Sequence, residues 1–163
     1  MTRPIYIAVC GGSTADDDTL EAAEEVGRLI AAAGAVLITG GLGGVMEAAA
    51  RGAAGQGGTA IGVLPSNDPH DGNEHNTVVV ATGLGEVRNT VIVNACDSLI
   101  AIGGEFGTLS EIGFALRLGK PVIGLGTWEM ARGDVDVQIV RVSSPHEAAD
   151  AALAAVTGRR RPY

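Results

Sequence analysis

Lysine is all but missing from this chain of 163 residues. Lys120 is the only one among 11 basic residues, against 19 acidic ones, and the formal net charge is −8. No stripe of basic side chains is available to follow a nucleic-acid backbone, which argues against DNA or RNA as the partner. A phosphate-bearing small molecule stays open, because backbone N–H groups can supply local positive potential. Aromatic residues make up 3% of the chain, so its 46% apolar content must build a core from Val, Ile, Leu and Ala. Cysteine is limited to Cys10 and Cys96, each inside an apolar run. Two isolated cysteines make neither a disulfide framework nor a zinc site and read as buried side chains in a reducing compartment. No apolar run approaches the roughly 20 residues that span a bilayer. Met1-Thr2-Arg3-Pro4 carries no signal-peptide pattern, so the expectation is a cytoplasmic protein without a membrane partner. Glycine, by contrast, is abundant: 25 residues, not periodic in threes and accompanied by only 6 prolines. That excludes a collagen-like chain.

The glycines cluster at the ends of apolar runs. Ile5–Cys10 is a nearly continuous apolar run, as expected of a strand buried on both faces. A helical pattern follows, with Leu20, Ala23, Gly27 and Ile30 on one stripe and Asp16, Asp17 and Asp18 at the positive end of its dipole. The unit repeats. Strands are predicted at Ala35–Thr39, Thr59–Leu64, Thr77–Ala81, Ser98–Ile102, Val122–Leu125 and Val137–Val142. Helices are predicted at Val45–Ala54, Glu86–Ala95, Thr108–Leu118 and from the capping box Ser144-Pro145-His146-Glu147 to about Val156. Pro65–Asn76 reads as a polar surface loop and a lid over a ligand. Its Asp68, His70, Asp71, Glu74 and His75 lack fixed metal-ligand spacing, so no metal is expected. The alternation predicts one α/β domain over residues 1–158, a doubly wound, Rossmann-like parallel sheet of six to seven strands with helices on both faces, and a frayed tail at 159–163.

Three predicted strands end in glycine turns: Gly11-Gly12-Ser13, Gly40-Gly41-Leu42-Gly43-Gly44 and Gly103-Gly104-Glu105-Phe106-Gly107-Thr108. Glycine lets the backbone turn tightly and lets a phosphate approach without meeting a Cβ, while the first N–H groups of the next helix point at it. The plainer alternative is that these are only the tight turns of an α/β fold. The Gly-Lys-Ser/Thr ending of a P-loop is missing, and the dinucleotide Gly-x-Gly-x-x-Gly pattern does not follow the first strand.

Arg88 followed by Asp97-Ser98-Leu99-Ile100-Ala101-Ile102-Gly103-Gly104-Glu105-Phe106-Gly107-Thr108-Leu109-Ser110-Glu111 resembles the Lonely Guy (LOG), or "lysine decarboxylase-like", superfamily. Its signature is Pro-Gly-Gly-x-Gly-Thr-x-x-Glu. Gly40-Gly41-Leu42-Gly43-Gly44-Val45-Met46-Glu47 resembles its first glycine loop, and the resemblance spans roughly residues 5 to 125. It implies cleavage of the N-glycosidic bond of nucleoside 5′-monophosphates, with Arg88 and Glu111 as catalytic residues. Phosphate would be held by Gly11, Ser13, Gly41, Gly43, Gly44, Gly103, Gly104, Gly107 and Thr108, with Glu47 and Asn89 as further candidates. Three departures stand out: Gly103 replaces the signature proline, Glu105 its second internal glycine, and Asn89 the lysine that follows the arginine. These details, and the length, are closer to a short sister branch that includes molybdenum-cofactor carrier proteins. The resemblance therefore implies either a phosphoribohydrolase or a non-catalytic carrier of a pterin phosphate, or a nucleotide sensor. No cofactor is required; the bound ligand would be a nucleotide or the molybdenum cofactor, in a homodimer or homotetramer. Lys120 sits in a helix-to-strand turn and fits no pyridoxal-phosphate pattern, so lysine decarboxylation is not expected.

Chemically, a carboxylate can stabilise a cationic ribose or activate water, and arginine offers a planar fork to phosphate. The structural alternative for Glu111 is a capping box, Thr108-Leu109-Ser110-Glu111, at the start of its helix. For Arg88 it is a solvated helix residue, and for Glu47 an exposed pair with Arg51 four residues on.

Overall fold

The computed structural model describes residues 3–135 and 137–158; the expected tail at 159–163 lies outside the described residues. Among them, seven parallel strands form one sheet: β1 (Tyr6–Gly11), β2 (Val36–Thr39), β3 (Ala60–Leu64), β4 (Val78–Ala81), β5 (Ser98–Ile102), β6 (Val122–Leu125) and β7 (Ile139–Val142). Their spatial order is β4-β3-β2-β1-β5-β6-β7. The chain winds outward from β1 to β4, then crosses back to place β5 on the other side of β1. In such sheets the reversal opens a crevice at the carboxyl ends of the two central strands. Here that is the end of β1 at Gly11, in register with Ile102 of β5.

Period-two alternation along the strands divides the core. Ile7, Val9, Leu37, Ile100 and Ile102 face α1 (Asp17–Ala32), α2 (Val45–Gly55) and α5 (Pro145–Thr157). Ala8, Cys10, Ile38, Leu99 and Ala101 face α3 (Asn89–Ala95) and α4 (Phe106–Arg117). Both faces of β1 and β5 are thus covered, which is why they read as unbroken apolar runs. At the sheet's edge, Val78 and Val80 of β4 are 45% and 43% exposed.

Local chemistry fixes the helix ends. Asp16 accepts from Thr19 N–H at 2.8 Å and starts α1. Ser144 accepts from Glu147 N–H at 3.2 Å, and Glu147 reaches back to Ser143 N–H at 2.8 Å. The C-termini of α1, α2 and α4 close in the same way: the glycine after each helix folds back, and the next N–H reaches a carbonyl five residues upstream, as in Ala35→Ile30 (3.1 Å), Gly58→Ala53 (2.9 Å) and Lys120→Ala115 (2.9 Å). The two mid-helix glycines of the α1–α2 pair have a packing cause. A Cβ on Gly27 would overlap the Ala49 carbonyl, and one on Gly52 the Glu24 carbonyl. The helices therefore cross backbone to backbone. That close crossing also redirects Arg51, which pairs with Glu24 across the interface at 2.7 Å instead of with Glu47 on its own helix.

Candidate functional site

The cavity at the crevice, ≈ 290 Å³, is walled by both halves of the fold. That is near the lower end of the range of small-molecule sites, about 300–1,000 Å³. Cys10, Gly11, Gly12 and Ser13 come from the end of β1; Gly40, Leu42 and Met46 from the β2–α2 turn; Pro65 from the end of β3. The opposite wall is Glu86, Arg88 and Asn89 together with Glu105, Gly107, Thr108 and Glu111 of the β5–α4 turn and helix.

The three glycine turns interlock. Val45 N–H donates to Gly12 O at 3.0 Å, so the first N–H of α2 is already used within the protein. Gly44 has φ of +64°, and a Cβ there would overlap Gly12 and Ser13. Gly41, Gly43, Gly44, Gly103 and Gly104 belong to the turns but do not line the cavity, whereas Gly11, Ser13, Gly107 and Thr108 do. Gly104, with φ of +100°, sits over Thr108, where any Cβ would overlap the Thr108 side chain. The third turn is braced from β6: Gly103 N–H donates to Leu125 O at 3.1 Å, Thr127 Oγ1–H to Gly103 O at 2.5 Å and Trp128 Nε1–H to Glu105 O at 3.1 Å.

Helix α4 begins at Phe106, not at Thr108. Its first helical bond runs from Leu109 N–H to Glu105 O (3.0 Å), so the N–H groups of Phe106, Gly107 and Thr108 have no acceptor within the helix. Thr108 and Glu111 consequently lie inside the helix and form no capping box; Thr108 is 3% and Glu111 6% exposed. Glu111 lies near Cys10 and the Arg88 guanidinium, and all three line the cavity. Burial raises its pKa to about 7, against the pull of Arg88 and Cys10. The same burial, with the neighbouring carboxylate, pushes the Cys10 thiol far up.

Arg88 ends a 3-10 turn, Gly85–Arg88, that leads straight into α3. It is only 8% exposed. One Nη donates to Asn89 Oδ1 and the other reaches Gly40 O at 3.5 Å. Its Nε–H is buried without a hydrogen-bond partner among the described residues. Burial lowers the Arg88 pKa, and Glu111 and Glu86 oppose that. Asn89 also donates to Ser110 Oγ at 3.2 Å, so it ties Arg88 to α4.

Glu47 is half-buried beside Gly43 and does not line the cavity. The 65–76 segment is stapled to the first glycine loop. Asn73 Nδ2 donates to Leu42 O at 2.8 Å, and Asn76 Nδ2 to Gly41 O at 3.1 Å. It contributes Pro65 to the wall. Sequence reasoning did not single out Cys10, Met46, Pro65 or Glu86. The first two sit in apolar stretches and read as core, and only the strand order puts them at the crevice.

The site thus combines a doubly wound sheet, a buried cation over its central crevice and an open helix start beside it. The chain belongs to the SLOG cluster4 family, whose model matches residues 4–151. It is similar to a molybdenum cofactor binding protein from Rippkaea orientalis, with 36% identity, a TM-score of 0.83 and coverage of 92% of this chain and 96% of that one. It is also similar to a Moco carrier protein from Chlamydomonas reinhardtii, with 32% identity, a TM-score of 0.82 and coverage of 96% and 99%. An uncharacterized protein of Archaeoglobus fulgidus is 46% identical over 121 residues, 74% of this chain and 80% of that one.

Proposed function

We propose that this chain is a carrier that holds the molybdenum cofactor, or a closely related pterin phosphate, in the β1–α4 cavity and does not transform it. The observation that carries the reading is the buried Arg88 guanidinium, whose Nε–H has no acceptor among the described residues. An unpaired buried donor is costly, by about 1–3 kcal/mol, and a ligand acceptor removes that cost. Such a cargo fits the donors present. The open N–H groups of Phe106, Gly107 and Thr108 suit its phosphate, with Gly103 and Gly104 giving the backbone its shape. Gly11, Ser13, Gly41, Gly43 and Gly44 form and support the facing wall. The similarity to cofactor-binding proteins over more than nine-tenths of the chain supports the same reading.

The test is retention and delivery. Purified protein is mixed with molybdenum cofactor released from a molybdoenzyme, separated by gel filtration, and then added to a cofactor-free molybdoenzyme. Co-elution and restored activity are expected. Loss of all cofactor on the column refutes the carrier reading.

A second reading, a nucleoside 5′-monophosphate phosphoribohydrolase, has one observation in its favour. A carboxyl with a pKa of about 7 beside an arginine suits a general acid at neutral pH. Release of ribose 5-phosphate from any nucleoside monophosphate would decide for it. Self-association into a homodimer or homotetramer belongs to both readings. Val87, 65% exposed, and Leu118, 49% exposed, offer apolar surface on the α3–α4 side. Sedimentation velocity of the wild type tests it.

A further inference from the structure

We propose that Glu111 and Arg88 read the aminopyrimidinone edge of the ligand's ring: the Glu111 carboxylate accepts from a ring N–H and the adjacent exocyclic amine, and Arg88 donates to the neighbouring ring carbonyl. This rests on reading the cavity as a site for a pterin or purine phosphate, and it assigns the two ends of that cavity to different parts of the ligand.

The ends are chemically unlike. One is the open start of α4 at Phe106–Thr108, made of backbone N–H donors. The other is a buried floor where Arg88 and Glu111 sit at 8% and 6% exposure, with Cys10 lining the same cavity. Glu86 and Glu105 stand exposed at the rim. A phosphate at the floor would lie against the Glu111 carboxyl, and once that carboxyl is ionised the like charges repel strongly out of water. A neutral ring edge avoids this and can satisfy both groups.

The donor count then selects the edge. A carboxylate only accepts and a guanidinium only donates. Together they match an edge that offers two neighbouring N–H donors beside a carbonyl, as 2-amino-4-oxopteridines and guanine do. The adenine edge, an amine beside a ring nitrogen lone pair, would turn that lone pair toward the carboxylate. A Cβ at Gly40 would come within 2.6 Å of Met46 Sδ and 2.8 Å of Arg88 Nη2, so the glycine lets Arg88 pack directly against the β2–α2 turn. Arg88 is already oriented from two sides, by Asn89 Oδ1 and Gly40 O, which leaves Nε–H for a ligand.

The experiment is a calorimetric titration of the full-length protein with GMP, IMP, AMP and ribose 5-phosphate at pH 8.5, where the Glu111 carboxyl is ionised and only accepts. The three nucleotides share phosphate and sugar and differ at the edge. GMP is expected to bind about 5- to 150-fold tighter than AMP, the discrimination typical of one bidentate pair. IMP, which lacks the 2-amino group, should fall between. Glu111→Gln converts two acceptors into one acceptor and one donor, the pattern that matches adenine, so the variant should bind AMP tighter than GMP. If the variant does not fold, the wild-type order of the three nucleotides decides alone. Equal affinities for GMP and AMP, or ribose 5-phosphate as tight as GMP, would overturn the ring assignment and leave the phosphate site standing. Binding of none of the four would overturn the phosphate site as well. A folded Glu111→Gln protein that keeps the GMP preference removes Glu111 from the edge.

Discussion

Glu111 should make the ligand-free protein less stable as pH rises, opposite to the usual behaviour of a paired carboxylate. Its folded pKa of about 7 lies above the ordinary 4.5. Between those values the folded chain holds a proton that the unfolded chain has released. The stabilisation is therefore complete below pH 4.5 and is lost as pH rises through 7. The gap of about 2.5 pH units, at about 1.4 kcal/mol each, gives roughly 3 kcal/mol by pH 8. For a chain of this size that is a fall of about 6–12 °C in Tm. Asp16, Glu24, Glu25, Asp68 and Glu147 have lowered pKa values from their hydrogen bonds, and their contributions fade at the acid end. The assay is urea unfolding of wild type and Glu111→Gln at half-unit steps from pH 5 to 8.5. Glutamine stays neutral throughout, so the variant should lack the fall. The attraction of Arg88 for the ionised carboxylate is already contained in the pKa of about 7, so it adds nothing further to the difference in slope. A difference between the two proteins that stays constant from pH 5 to 8.5 would refute the reasoning.

Four further outcomes are expected. Arg88→Lys keeps the charge and loses the Nε–H; binding of a pterin phosphate should weaken by about ten- to a hundredfold, the value of a charge-assisted hydrogen bond, and unchanged calorimetric affinity would remove Arg88 from the site. Gly52→Ala should lower the urea midpoint by the equivalent of about 1–3 kcal/mol, because its methyl would overlap the Glu24 carbonyl of α1. Gly113→Ala, exposed on α4 with nothing near its Cβ, should raise stability by roughly 0.5–1 kcal/mol; the same sign for both glycine variants would contradict the packing account. Cys10 and Cys96 are buried with raised pKa values, so Ellman's reagent at pH 8 should find no reactive thiol in the native protein and two in urea.

Most of the fold was legible because a parallel sheet leaves a plain trace: short apolar runs, each stopped by glycine and followed by a helical stripe. The site was harder for two physical reasons. First, Thr108-Leu109-Ser110-Glu111 has the spacing of a capping box, but spacing alone does not say where a helix begins. The bracing of Gly103 and Glu105 from Thr127 and Trp128 lets α4 begin at Phe106, and this moves Glu111 from the surface to the floor. Second, local pairing rules ignore other elements. Glu47 and Arg51 have the right separation to meet, yet the tight α1–α2 crossing offers Arg51 a partner 27 residues away in sequence. Arg88 is the same case with larger consequences. A single arginine in a predicted helix carries no sign that a 3-10 turn will tuck it beneath Gly40.

The strand order has a consequence for the lifetime of the molecule. β1 pairs with β2 about thirty residues away, as in Tyr6↔Val36, but with β5 about ninety residues away, as in Ile7↔Ser98. The cavity straddles that long-range seam: Cys10 and Met46 belong to one side, Arg88 and Glu111 to the other. A bound ligand would therefore be a clasp across two parts of the chain that are far apart in sequence. At a hundred times its dissociation constant it would hold them with an extra ~2.7 kcal/mol. On the carrier reading, an empty molecule would open more readily to a protease than a loaded one, and the seam under the cavity would tie the survival of the protein to its load.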